Sequence, residues 1–197
     1  YQVKLEAFTP VTGILLSSTD LMQRGTYNLN ELATVEPTDP SSKEPITWSV
    51  AEGKTLPAGV TLDGTTLTVT KDAPAGAKIE LTASVAGGIL GSDNATAEPF
   101  KQSITLTVTQ YLPLITFANG SGDHPSTATL PEAVRVNTDM KLRAPNAPVC
   151  DGWNFKGWYK DKACSDDQLW KFETDTAQDD LTLYAKWEQE AKEVTVT

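Results

Sequence analysis

Three sets of residues in this chain could do chemistry. The first is a pair of cysteines, Cys150 and Cys164. The second is a single histidine, His124, set between Asp123 and Ser126. The third is a crowd of rings, Gly152-Trp153-Asn154-Phe155-Lys156-Gly157-Trp158-Tyr159, answered downstream by Leu183-Tyr184-Ala185-Lys186-Trp187. Thiols can bridge, an imidazole between a carboxylate and a hydroxyl suggests hydrolysis, and exposed indole or phenol faces can stack on sugar rings.

The histidine is the weakest of the three. Catalytic triads are assembled by a fold from distant positions, and neighbours on one turn cannot adopt that lined-up geometry. His124 is therefore expected to be a solvent-facing loop residue. The cysteines leave two readings open. A bridge would close a loop of about 15 residues, worth roughly 3 kcal/mol in the chain-entropy treatment. A straight strand of about eight residues between them would however span about 26 Å, while bridged Cα atoms lie within about 7 Å. Both flanks would have to curl back. The other reading is two unpaired thiols acting as small hydrophobes. Two cysteines and one distant histidine do not make a zinc site.

The rings are first of all material for a small core, since each large ring buries about 150–250 Å². Strict alternation along 153–160 puts Trp153, Phe155 and Tyr159 on one face and Trp158 on the other. Trp153, Phe155, Tyr184 and Trp187 are accordingly expected in the core. Trp158 is the ring expected to be exposed and the candidate ligand contact. Acidic loops at 161–167, 175–180 and 92–94 offer oxygen ligands, but none has the spacing that turns carboxylates around a calcium ion. The sequence carries no glycine-rich phosphate loop, nucleophile elbow or paired metal-binding histidines. No cofactor, no metal and no reaction are expected.

The elements that hold these residues read as strands. Gly and Pro punctuate short runs of alternating Val, Leu, Ile and Thr throughout the chain. Expected strands begin with Val3 and Leu5 and continue with 11–16, 46–50, a hairpin over 60–69 turning at Asp63-Gly64, 79–85 and 104–108. A chain of 197 residues suits two domains, and composition changes after Tyr111. Residues 1–110 hold five of the fifteen aromatics, and the rest hold ten, including four of the five Trp. Tyr111-Leu112-Pro113 is thus a short, stiff boundary. Expected domains are 1–110, 111–188 and a linker at 189–197.

The net charge of −10 is spread evenly, with seven basic and twelve acidic residues up to 110 and nine and fourteen after it. No basic stripe is available to neutralise phosphates, which excludes a nucleic-acid partner. The apolar runs are far short of the roughly 18 residues of a membrane span. The chain opens without a leader pattern, so a secretion signal is expected to have been removed or to lie upstream, in a longer protein.

Two resemblances add to this reading. Val11-Thr12-Gly13-Ile14, the stretch from Gly25 to Pro37, Ile46-Thr47-Trp48-Ser49-Val50, the 60–69 hairpin and Ile104–Val108 together resemble the bacterial Ig-like domains of group 2 and their relatives. The loop from Gly87 to Pro99 is longer than that pattern. Over 113–188, Ile115-Thr116-Phe117-Ala118-Asn119-Gly120, the Gly152–Tyr159 run, Ala163-Cys164, Trp170-Lys171-Phe172 and Leu181–Trp187 resemble the Listeria–Bacteroides repeat, also called the internalin B-type repeat. Trp153 stands where that family usually has Tyr. The fold expected is therefore mostly β, an Ig-like β-sandwich followed by a small β-grasp-like module. The resemblances imply a non-catalytic spacer or adhesive pair in a secreted or surface bacterial protein. Its partners would be a host or matrix protein or neighbouring domains. An accessory carbohydrate-binding module, with a glycan as partner, is the other reading.

Overall fold

The computed structural model describes residues 7–191; the expected strand at Val3 and Leu5, and most of the expected linker at 189–197, lie outside them. The chain divides into two compact units, Tyr1–Tyr111 and Leu112–Thr197, and the regular structure of both is almost entirely strand.

The first unit begins with β1 (Gly13–Leu16), β2 (Asp20–Met22), β3 (Gly25–Asn28), a single helical turn α1 (Leu29–Leu32) and β4 (Ala33–Glu36). It continues with β5 (Ile46–Val50), β6 (Val60–Asp63), β7 (Thr66–Val69) and two long strands, β8 (Lys78–Leu90) and β9 (Ala97–Thr109). One sheet has the order β2-β9-β8-β5, a second β3-β7-β6, and among the described residues β1 pairs with β4 alone. Val60 pairs with Val69 and Asp63 with Thr66, closing the 60–69 hairpin over Gly64 at φ +58°. A residue with a Cβ is disfavoured at that angle. Alternation then does the rest. On β8, Ile79, Leu81, Ala83 and Val85 are buried, while Glu80, Thr82 and Ser84 are partly exposed on the other face. These inward side chains meet Leu67, Val69, Val60 and Trp48 in one core between the sheets, so this unit is a β-sandwich. The Trp48 indole donates to Asn30 Oδ1 at 2.7 Å, which satisfies its N–H where the ring is buried.

The second unit contains β10 (Leu114–Asn119), β11 (Val134–Arg135), β12 (Trp153–Tyr159) and β13 (Leu181–Gln189), with one 3-10 turn at Asp166–Gln168. Its sheet has the order β11-β10-β13-β12, with β10 and β13 parallel in the middle. First and last strands side by side, each flanked by an antiparallel neighbour, is the arrangement of a β-grasp sheet. β10 runs through Asn119, which pairs with Ala185, and the chain turns away at Gly120. The inner face carries Ile115, Leu183, Ala185 and Trp187, against which the irregular segments pack Val136, Leu142, Trp170 and Ala177. More of this core comes from loops than the strand pattern suggests.

Candidate functional site

The fate of the ring cluster turns on one irregularity in β12. Phe155 pairs with Trp187 but Gly157 pairs with Lys186, so Lys156 and Gly157 together face a single residue of β13. This is a β-bulge, and Gly157 sits in it at φ +131°, a conformation reserved for glycine. The extra residue shifts the side-chain phase by one. Trp158 therefore lands on the same face as Phe155 and is 3% exposed, where strict alternation puts it in solvent. Its ring centroid is 4.6 Å from Phe117 and 5.2 Å from Phe155, and Phe155 lies 5.5 Å from Trp187. Tilted and edge contacts at these separations are the favourable ones for aromatic quadrupoles. The Trp187 indole N–H donates to Asn119 Oδ1 at 3.0 Å.

Trp158 is therefore a core residue, and its expected role as an exposed ligand contact is corrected. The same shift moves Tyr159 away from Trp153 and Phe155. It pairs across the sheet with Tyr184 and lies under the Lys186 ammonium, 5.2 Å from the ring centroid. Tyr184, expected in the core, sits opposite Leu183 and Ala185 in the alternation of β13 and is half-buried on the outer face. Trp153 and Phe155 are half-buried but packed on the inner cluster, and Trp187 is buried, as expected for all three. Sequence reading assigned no place to Trp170, which is 4% exposed. Its backbone N–H donates to the Trp158 carbonyl at 2.7 Å, and Lys160 covers its ring. Lys160 N–H in turn donates to the Gln168 carbonyl at 2.9 Å. The segment 168–170 thus covers the C-terminal half of the edge strand β12.

Cys150 and Cys164 are both free thiols, which corrects the disulfide reading. They stand before and after β12 and have different neighbours. Cys150 Sγ is 3.5 Å from the Thr127 hydroxyl. Cys164 is buried beside Gly120, where an added Cβ would come within 2.5 Å of its sulfur. Together with Asp123, Ala163, Lys186 and Trp187, Cys164 lines a cavity of about 110 Å³. Burial pushes the Cys164 thiol pKa up, the Asp161 carboxylate adds to this, and Lys186 opposes it. A raised pKa keeps the sulfur protonated and unreactive near neutral pH. Alkylation of the native protein is thus expected at Cys150 first, with Cys164 reacting only above the ordinary thiol range. Peptide mapping after a pH series checks this. Two unlabelled cysteines and a mass two hydrogens lower would contradict it.

The other candidates are engaged in turns. His124 is exposed, with Nδ1 3.5 Å from the neighbouring Pro125 carbonyl. Asp93 accepts from the Thr96 hydroxyl and from the amides of Thr96 and Ala95, which together hold its pKa at about 2. Asp161 accepts from the Ser165 amide at 3.0 Å and hydroxyl at 2.7 Å. Asp175 accepts from the Lys171 amide and pairs with Lys160. These carboxylates cap loops, the ordinary use of Asp before a turn. Among the described residues, no three His, Cys, Asp or Glu side chains converge as metal ligands.

The ordered motifs, the parallel central pair and the inward rings all lie in the second unit, and comparison with known proteins selects the same stretch. Residues 114–186 match the Listeria-Bacteroides repeat domain. A segment of 47 residues of this chain is 51% identical to part of a protein of Evansella cellulosilytica named "Putative Gly-rich membrane protein", covering 24% of this chain and 5% of that protein. A second protein of the same organism, named "Putative membrane protein", is 43% identical over 47 residues, covering 24% of this chain and 7% of its own length. The chain thus spans a small fraction of these relatives. Within the matched stretch, the inner face of the sheet is occupied by its own core. Among the described residues, no helix is long and apolar enough to cross a membrane.

Proposed function

We propose that this chain is a non-catalytic structural segment of a bacterial surface or secreted protein, acting as a spacer or protein-interaction unit. The observation that carries the reading is the inward turn of the rings. Trp158, Trp170 and Trp187 are at most 6% exposed, so three of the four indoles of the second unit stabilise it and are not available to a ligand. The match to a repeat domain and the great length of the relatives support a role as one module among many. Their names, which place them at a membrane, support a surface location. The parallel pairing of β2 with β9 and the order β9-β8-β5 facing β3-β7-β6 support reading the first unit as a bacterial Ig-like domain.

The partners in this reading are a host or matrix protein, or neighbouring domains. Contact would come through exposed loops or open strand edges, such as the first half of β12. Protease shaving of intact cells that make the protein tests its location. Peptides of this chain are expected in the shaved fraction, and their appearance only after lysis would overturn the reading. A glycan array probed with the whole chain tests the carbohydrate-binding alternative. No saturable binding is expected. Micromolar binding lost on Tyr184→Ala, which removes a half-buried ring of the outer face, would favour that alternative instead.

A further inference from the structure

One step of the second unit's backbone is chemically fragile, and the fold both requires it and shields it. Of the seven asparagines in the chain, Asn119 alone is followed by glycine. In an Asn-Gly pair no side chain obstructs the following amide, whose nitrogen can attack the asparagine carboxamide. Asn119 ends β10 and pairs with Ala185 of β13, so the fragile step lies where the strand stops.

Neither residue can be exchanged freely. Asn119 Oδ1 accepts from the Trp187 indole N–H at 3.0 Å, which satisfies a donor on a ring only 6% exposed. A Cβ at position 120 would stand 2.5 Å from the Cys164 sulfur and 3.2 Å from the Ala185 and Lys162 carbonyl oxygens. The surrounding bonds also hold the pair away from reaction. The Gly120 amide donates to the Ala185 carbonyl at 3.0 Å, and the Ser121 amide to the Lys162 carbonyl at 2.7 Å. Ring closure requires Asn119 to leave its extended strand conformation and swing the Gly120 nitrogen onto Cγ. That rotation breaks the bond to Ala185, and the Trp187 N–H must release the carboxamide.

We propose that Asn119 is a spontaneous deamidation site gated by the pairing of β10 with β13, silent while the strands are joined and reactive once they part. The Gly120 nitrogen bonds to Asn119 Cγ, and its proton leaves with the carboxamide nitrogen as ammonia. One water then opens the resulting succinimide at either carbonyl, giving aspartate or isoaspartate. Aspartate keeps an oxygen within reach of Trp187. Isoaspartate adds a carbon to the main chain and shortens the side chain, so Gly120 shifts off the Ala185 carbonyl and the indole loses its acceptor. Parting of the strands thus leaves a covalent mark that hinders their closing again. The inference does not depend on the functional reading above.

Peptide mapping of the whole chain after timed incubation near neutral pH, native and in urea, tests it. In urea Asn119 is expected to deamidate before the other six asparagines. In the native chain its loss should be at least about tenfold slower, since reaction through local opening scales with the open fraction. Equal rates in the two states, or another asparagine reacting first in urea, would overturn the proposal. Trp187→Phe keeps a ring, removes the N–H and is expected to raise the native rate several-fold; an unchanged rate would overturn the gate. Should that variant fail to fold, the unmodified sequence in sub-denaturing urea gives the second reading. Its Asn119 loss should climb with urea, and a rate flat up to the unfolding midpoint would contradict the gate. After dilution from urea, chains carrying isoaspartate should refold less completely than Asn119→Asp chains, and equal recovery would remove the covalent mark.

Discussion

Trp158→Ala is expected to destabilise the second unit by about 3–5 kcal/mol, the range for deleting a large ring from a packed core. The ring touches Phe117 and Phe155 and is 3% exposed, so its removal leaves a cavity lined by rings that cannot collapse freely. For a module of this size that is a large share of the total stability. Denaturant titration followed by near-UV circular dichroism reads the effect, because the aromatic cluster dominates that signal. The first unit, with its own core around Leu81 and Leu106, should keep its midpoint. An unchanged second transition would mean that Trp158 is not in the core.

Gly157→Val is expected to cost about 1–3 kcal/mol, the range for holding a side chain in a disfavoured backbone region. At φ +131° a β-branched residue is strained, and the added Cβ would meet Leu169 Cδ1 at 2.9 Å. The bulge explanation makes a sharper demand. Removing Lys156 together with the substitution leaves one residue opposite Lys186, so the ladder can run regularly with Phe155 and Trp158 still on the inner face. The positive φ is then no longer required, and the double variant should recover most of the lost stability. The deletion forfeits the exposed Lys156–Glu188 pair, worth about 0–1 kcal/mol. A double variant less stable than Gly157→Val alone would show that the bulge is not what turns Trp158 inward.

This pair of variants also marks where sequence reading stopped. Strands in the sandwich were legible because their alternation is unbroken: Ile46 and Trp48 on β5, and Ile79 to Val85 on β8, are buried as period two requires. The hairpin at 60–69 was legible from Asp63-Gly64, since glycine supplies the positive φ of the turn. On β12 the same rule failed after Gly157, because a bulge adds one residue that no count of alternating positions contains. The signal was present in the glycine itself, in mid-strand between two large rings, a placement that often marks a bulge. Trp170 was missed for another reason. It lies in an irregular segment, and only backbone bonds such as Trp170 N–H to the Trp158 carbonyl bring it to the sheet. Tyr184 falls on the outer face because parity outranks ring content: Leu183 and Ala185 already claim the inner face. The cysteines could not be decided from spacing, since spacing does not say which way the flanks of a strand turn.

A Trp153→Phe variant tests the central claim most directly. It keeps Trp48, Trp158, Trp170 and Trp187, all at most 8% exposed, and removes the one half-exposed indole. Its native fluorescence is expected to be blue-shifted and barely quenched by acrylamide, reaching the behaviour of solvated indole only on unfolding. Native emission and quenching close to free tryptophan would place the rings in solvent and contradict the account.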